Sequence, residues 1–532
     1  MKNKLRRQDY VLLYALGLAL ALGVSLVQRV PGYTDAEYYY GGGLRLFQGH
    51  GFTEMILWNY LDDPTGLPHP SHAYWMPLPS ILAAAGMFLF QRGSFFAGRF
   101  FFILLSGSIP PLTALLAQQL GQDRRGATLA GLLGLFSGFY LIYTTLTEGF
   151  TLVMVLGSIF FLTVFGNPNE ETTKPVFYLI PGMVTGFLHL TRADGFLWLC
   201  AGLLVVLWMY PVKRKSPIGK TLAVIGCTIG GYLLVMGPWF LRNFQAFEGI
   251  MPPGGSRAFW LRNYNEIFRY PADQLDLATW LASGWEGIFK DRLAALWSNL
   301  QTAMAVQGSI FLLPLMIAGL WHLHRDRRVV LGAGLWLAIL GVMSFVFPYP
   351  GVRGGFFHSG AALQPLLWAS VPFGLDVFVD WGSRKRSNWN KKMAVNVFGF
   401  GIVLLSVLLT GFLFSQRVVG KSLQNPAWQD SWDRQYLYED ELIKQGTLPN
   451  DIVMINNPAG WYAATGRGAI VIPDGTPETA WLAAQQYGAA ILILEADHVD
   501  GLDDLYENPV DLPGLRYLSA VDGSYFFEFV SE

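Results

Sequence analysis

The sequence predicts a polytopic α-helical membrane protein with a small α/β domain at its C-terminus. The first observation is composition: of 532 residues, 52% are hydrophobic and only 14% charged, against about 25% charged in a typical soluble protein. So little charge cannot cover the several soluble domains that the length alone would suggest. The second is a division of charge, since residues 416–532 carry 18 acids and 6 bases while residues 1–415 carry 20 acids and 31 bases. A basic, apolar body followed by an acidic tail reads as a membrane domain plus one soluble domain. The third is a long series of apolar stretches of near-spanning length.

Taken in order, Lys2, Lys4, Arg6 and Arg7 precede an apolar stretch from Tyr10 to Val27. No small-residue cleavage site follows in Val27-Gln-Arg-Val-Pro-Gly32, so this reads as an uncleaved first helix with a cytoplasmic N-terminus. Further apolar segments cover 76–90, 96–120, 127–144, 149–166, 174–190, 195–211, 220–241, 306–323, 328–348, 361–380 and 393–414. The short basic loops at Arg124-Arg125, Lys213–Lys215, Arg325–Arg328 and Arg384–Lys392 belong in the cytoplasm. Counting segment 76–90 as a crossing would invert every one of them. That segment is short and begins Met76-Pro-Leu-Pro79, so it reads as a juxtamembrane helix. About 11 spanning helices remain, and the cytoplasmic placement of 167–174 rests on that parity. Cys200 and Cys227 both lie in apolar runs, which leaves no disulfide framework and no thiolate metal site.

The expected organisation is a transmembrane catalytic domain over 1–415 and a soluble extracytoplasmic α/β domain over 416–532. Within the first, 31–95 forms a first outer loop with juxtamembrane helices and 243–305 a second large outer loop. In the tail, apolar runs at 451–456, 469–472 and 489–494 alternate with helix-like stretches at 432–445 and 477–487, as in a mainly parallel sheet. The ending Arg516–Phe529 reads as a hairpin turning at Asp522-Gly523. No GxGxxG or GKS/T motif follows a strand, and no nucleic-acid partner is expected. The scattered acids of the tail suggest a regulatory or acceptor-positioning role, so that a chain ending near Ser415 would keep its donor site.

Ionisable residues recur where the apolar segments meet the outer side. These are Asp35 and Glu37 in Thr34-Asp-Ala-Glu-Tyr-Tyr-Tyr40, Glu148 in Thr147-Glu-Gly149, and Arg192 with Asp194. Arg242-Asn243 and then Arg353 with His358 complete the set. Singly, each reads as well as a solvated turn, and Asp35 as a helix cap. Sparse charges gathered at one membrane boundary tend to be functional.

These residues also carry a family resemblance. Asp35-Ala-Glu37, Gly49-His-Gly-Phe-Thr53 and His69-Pro-Ser-His-Ala-Tyr-Trp-Met-Pro-Leu-Pro79 resemble the first outer loop of GT-C glycosyltransferases. So do Gly98-Arg99, Thr147-Glu148, Leu190-Thr-Arg-Ala-Asp-Gly195 and Pro238-Trp-Phe-Leu-Arg-Asn243, in the family's order and through about residue 380. The family includes protein O-mannosyltransferases and the bacterial aminoarabinose transferase. Many members carry adjacent Asp-Glu where this chain has Asp35-Ala36, which makes Asp35 the better match.

The resemblance implies an inverting transfer of a sugar from a polyprenyl-phosphate donor to an acceptor hydroxyl on a lipid, glycan or protein, at the extracytoplasmic face of a cell membrane. Because phosphate is already a good leaving group, one carboxylate suffices as base, in contrast to the paired carboxyls of glycosidases. Asp35 fills that role, with Glu148 as the competing catalytic acid. Arg192, Arg242 and Arg353 are candidates for the donor phosphate, and Glu37, His69, His72, Asn243 and His358 for substrate contacts. A divalent metal at His69 and His72 is an option, although Pro70 between them fixes no helical geometry, and hydrogen bonding to the substrate is the preferred reading. Two other classes fit the hydropathy: a flippase or transporter of lipid-linked sugar, and a membrane scaffold with a glycan-binding tail. A transporter places its charges near the bilayer midplane, whereas here they crowd the outer ends.

Overall fold

The computed structural model describes residues 4–166, 174–386 and 389–530, so the expected placement of the 167–174 loop falls almost wholly outside it. The chain forms two compact units. One comprises Met1–Val27, Phe100–Arg242 and Leu293–Gly420, the other Gln28–Arg99, Asn243–Arg292 and Lys421–Glu532.

The first unit is helical. Among the described residues, six helices are long and apolar enough to cross a membrane: Arg7–Val27, Phe100–Gln119, Ala193–Lys213, Ile218–Phe247, Arg327–Val346 and Lys391–Val419. The pair Pro348–Ala361 and Gln364–Lys385, bent by 68°, makes a seventh if it counts as one span. Length and composition therefore support six or seven crossings, against the 11 expected. The gap has physical causes. Gly149–Thr163, Pro175–Thr191 and Leu313–His322 are apolar but short, and a hydrocarbon core of about 30 Å needs roughly 20 helical residues. The stretch expected as one helix over 127–144 stops at Leu135, and Gly138 then takes a left-handed φ of 61°.

Small residues let these helices meet closely, as membrane packing requires. A methyl on Gly319 would strike the Ser370 carbonyl, and one on Gly374 that of Leu315. Widened, π-type turns at Ala303–Gln307, Val342–Val346 and Gly351–Gly355 interrupt the regular ladder. Buried amides take up some of the released backbone groups. Asn299 Nδ2 donates to the Met343 carbonyl at 3.0 Å, and Gln364 Nε2 donates to that of Gln307 at 2.9 Å.

The second unit is built on a sheet. Its strands are β1 (Thr53–Glu54), β2 (Ile56–Leu57), β3 (His69–Pro70), β4 (Ile452–Met454), β5 (Ala469–Ile470), β6 (Ala489–Leu494), β7 (Leu515–Val521) and β8 (Ser524–Phe529). β1 and β3 form a small antiparallel pair, and the main sheet runs β2-β5-β4-β6-β8-β7. Its first four strands are parallel, and β8 and β7 add antiparallel. The hairpin expected at Asp522-Gly523 is present, with both residues left-handed at φ 50° and 77°. That is the backbone a tight two-residue hairpin requires.

One edge differs from the expected division at 415/416. β2 belongs to the first loop, and it pairs with β5 through Ala469 N–H to the Met55 carbonyl at 3.0 Å and Val471 N–H to that of Leu57 at 2.7 Å. From the second loop, Phe268 accepts from Asp474 N–H at 2.9 Å, and Ala272 joins Tyr60, Ile470, Tyr487 and Leu492 in one core. The tail's sheet is thus completed by two earlier stretches, while residues 293–305 belong to the helical unit. Truncation at Ser415 is then expected to remove the partner of β2 and the core around Tyr60, unfolding the first loop with it. Limited proteolysis of that truncated chain should cut within 50–75, where the full chain resists. Arg242 and Arg353, the candidates for the donor phosphate, lie in the helical unit, so donor titration of the truncated chain decides whether its donor site persists.

Candidate functional site

In the helical unit, Glu148 caps the N-terminus of the Gly149–Thr163 helix, and its Oε2 accepts the Phe150 N–H at 2.8 Å. A carboxylate there meets the positive end of the helix dipole. Its Oε1 lies 3.1 Å from His358 Nε2. The imidazole Nδ1 is 2.8 Å from the Gly354 carbonyl, and the ring stacks on Phe150 with centroids 4.2 Å apart. Each ring nitrogen faces an oxygen, so its orientation is set from both sides. The turn delivering His358 needs its glycine: Gly354 has φ 113°, and a Cβ there would sit 3.3 Å from His358 Nδ1.

Arg192 links two segments of this neighbourhood. Its Nε donates to Asp194 Oδ1 at 2.9 Å, and its Nη2 reaches the Gly355 carbonyl and Ser359 Oγ at 3.4 and 3.3 Å. Expected as a phosphate ligand, it instead spends these donors tying the 192–194 turn to 355–359, with Asp194 balancing its charge. Arg353 is exposed on the Gly351–Gly355 turn, and Arg242 is half-buried with its guanidinium 4.7 Å from the Trp239 ring centroid.

In the α/β unit, Asp35 stands half-exposed in the first turn of the Thr34–Phe47 helix. Glu37, in the same turn, is 0% exposed. Its Oε2 accepts from Asn457 Nδ2 at 2.8 Å. Burial pushes its carboxyl up to about 7, with Asn457 and Trp432 pulling the other way. Glu37 is therefore an internal anchor, which corrects its assignment to substrate.

The two loop histidines are engaged likewise. His69 is buried with Nε2 2.8 Å from the Ile56 carbonyl and 3.4 Å from Glu54 Oε1, so that nitrogen carries the proton and is no ligand. Ser80 Oγ donates to the Tyr39 carbonyl at 3.0 Å. It therefore accepts from His72 Nε2, 2.9 Å away, while Ser71 Oγ lies 2.7 Å from His72 Nδ1. His72 holds a left-handed φ of 60°, a backbone cost of order 1–3 kcal/mol that surrounding contacts must sustain. These bonds explain why His69 and His72 serve the loop's own architecture and do not form a metal pair. Asn243 is buried too, its Nδ2 donating to the Ile250 carbonyl at 3.1 Å, which makes it a turn tie and not a substrate contact.

Sequence reasoning missed Asn457, Ser359 and Phe150. Asn457-Pro458 carries the signature of a helix start, cap followed by proline, but nothing in the sequence links it to Glu37.

No family model and no curated protein matches the sequence. Solved structures do. The chain is similar to ArnT from Cupriavidus metallidurans bound to undecaprenyl phosphate, at 15% identity and a TM-score of 0.54, covering 99% of each chain. It is similar to the Archaeoglobus fulgidus oligosaccharyltransferase in complex with Zn and sulfate, at 14% identity and a TM-score of 0.51, covering 90% of this chain and 67% of that one. A third likeness is to the mycobacterial arabinofuranosyltransferase AftD, at 13% identity and a TM-score of 0.51, covering all of this chain and 42% of that one. At such identities the likeness establishes the fold alone, one that the chain shares with these three transferases.

Proposed function

We propose that the chain is an inverting membrane glycosyltransferase that moves a sugar from a polyprenyl-phosphate donor to an acceptor hydroxyl at the extracytoplasmic face. The observation that carries this reading is the likeness, over 99% of both chains, to a structure holding undecaprenyl phosphate. A fold hosts many chemistries, so the site must agree with it. An acid and an imidazole paired at the head of an apolar helix, as Glu148 and His358 are, suit a reaction that handles charge at a membrane boundary.

In the proposed step the acceptor O–H gives its proton to the Asp35 carboxylate. The oxygen's electron pair forms the new bond to C1 of the sugar. The bond from C1 to the phosphate oxygen breaks with its electrons passing to the polyprenyl phosphate, and a single displacement inverts C1. Arg242 and Arg353 offer cations to the phosphate, which bears charge before and after transfer. A divalent ion fits Glu148 Oε1 and His358 Nε2, an oxygen and a nitrogen donor of the kind such ions take; bound, it would supply positive charge to the leaving phosphate.

Purified protein in liposomes given radiolabelled polyprenyl-phosphate sugar tests the reading. Label released from the lipid, to an acceptor or slowly to water, supports it. Labelled lipid crossing the bilayer unchanged would replace it with a flippase. Arg242→Ala and Arg353→Ala should each weaken donor binding by roughly tenfold or more, the worth of a charged hydrogen bond. Calorimetric titration with the donor measures this.

Topology belongs to the same proposal, with the 31–95 loop and the tail outside and the basic loops inside. In a background lacking Cys200 and Cys227, an impermeant thiol reagent added to intact cells should label Thr65→Cys and Asn508→Cys, both exposed positions. Lys215→Cys should stay unlabelled until the membrane is opened. Ser71 and Ser524, on the same segments, are buried and would not report.

A further inference from the structure

We infer that Glu37 and Asn457 are a positioning pair, through which the C-terminal sheet fixes the first turn of the Thr34–Phe47 helix and with it the carboxylate of Asp35. The inference rests on the proposed role of Asp35 and adds a second element to it.

The contact is specific. Asn457 works at two places at once: its Oδ1 accepts the Gly460 N–H at 3.1 Å, capping the Pro458–Thr465 helix, and its Nδ2 donates to Glu37 at 2.8 Å. Gly460 leaves the space for it, since a Cβ there would lie 2.8 Å from Glu37 Oε2. Around the bond, Tyr38, Tyr39, Ile56, Ala459 and Tyr462 pack into one apolar cluster. Arg45, on the same helix as Glu37, donates to the Thr53 carbonyl at 2.8 Å and so pins the far end of that helix to β1.

Burying a carboxyl is costly unless it is bonded, and a hydrophobic residue at position 37 would pack without that cost. An acid there, bonded across 420 positions of sequence, defines an orientation that apolar packing alone would not. Two residues along a helix turn by about 200°. Glu37 facing the tail's helix therefore sets Asp35 on the opposite face. Misplacing a reacting group by about 1 Å costs on the order of a hundredfold in rate, so the angle of this turn matters to a base there.

The test is an exchange of donor and acceptor in the full-length protein. Assayed well above neutral pH, where both carboxyls are ionised, Asn457→Asp keeps an oxygen for Gly460 N–H but sets two carboxylates against each other. It should raise hydrogen–deuterium exchange in the 33–40 segment and lower kcat by roughly ten- to a hundredfold, with the donor KM nearly unchanged. Adding Glu37→Gln to it restores one donor and one acceptor with their roles reversed, and should return both readouts toward the parent. Unchanged exchange at 33–40 in Asn457→Asp, or a loss that the double variant does not restore, overturns the inference. Exchange that rises and is rescued while turnover stays flat leaves the positioning pair standing and removes Asp35 from the chemistry. The two failures are thereby told apart.

Discussion

Asp35→Asn is expected to lower single-turnover transfer by roughly 10²–10⁴-fold, the usual worth of a general base, while leaving affinity for the lipid-phosphate donor nearly intact. The amide keeps the shape of the side chain and cannot take the acceptor's proton. A charge-neutral change that spares binding and removes turnover separates a base from a phosphate ligand, because Arg242→Ala and Arg353→Ala should weaken both. Glu148 is the competitor. Its Oε2 is engaged by the Phe150 N–H and its Oε1 faces His358, so neither oxygen is poised to receive a proton from a hydroxyl. Asp35, partly exposed in the first turn of its helix, is the residue that the family resemblance puts forward as base. Single-turnover rates and donor titrations on Asp35→Asn and Glu148→Gln decide it. Full turnover in Asp35→Asn together with loss in Glu148→Gln would move the base to Glu148.

Much of the fold could be read from local chemistry. The Arg7–Val27 helix follows from an unbroken apolar run, and the β7–β8 hairpin from Asp522-Gly523 between alternating strands. The segment Met76–Phe90 was legible as a short helix because Pro77 and Pro79 mark its start, and the helix over Leu78–Phe90 has 13 residues. What could not be read depends on partners far along the chain. β2 is two residues long between Met55 and Trp58, with no periodicity to show, and becomes a strand only because β5 offers an unpaired edge. The site residues divide in the same way. Asp35, Glu148 and His358 stand out as sparse charges beside apolar segments. That Glu37 is an anchor while Asp35 remains accessible is a matter of which helix face the tail covers, and Asp35-Ala-Glu37 alone does not say. Likewise nothing in His69-Pro-Ser-His72 shows that Ile56, Ser71 and Ser80, and not a substrate, face the two rings.

The anchoring role of Glu37 has a pH signature. Its folded carboxyl titrates at about 7, against an ordinary value of 4.5, with burial as the main cause. Asn457 and Trp432 oppose the shift, and Arg45 and Glu54 line the same small cavity. A folded value above the unfolded one means that the folded state holds the proton more tightly. The stabilisation is therefore complete below about pH 4.5 and is lost as pH rises through about 7, for a total on the order of 3 kcal/mol. Denaturant midpoints of the α/β unit, followed by exchange at its core amides, should fall between pH 5 and pH 8 in the parent protein. In Glu37→Gln that component is absent, because the neutral amide still accepts from Asn457 and has no proton to lose. The variant should match the parent near pH 5 and exceed it at pH 8. Equal slopes in the two proteins would mean that Glu37 is ionised throughout and that another group carries any pH dependence seen.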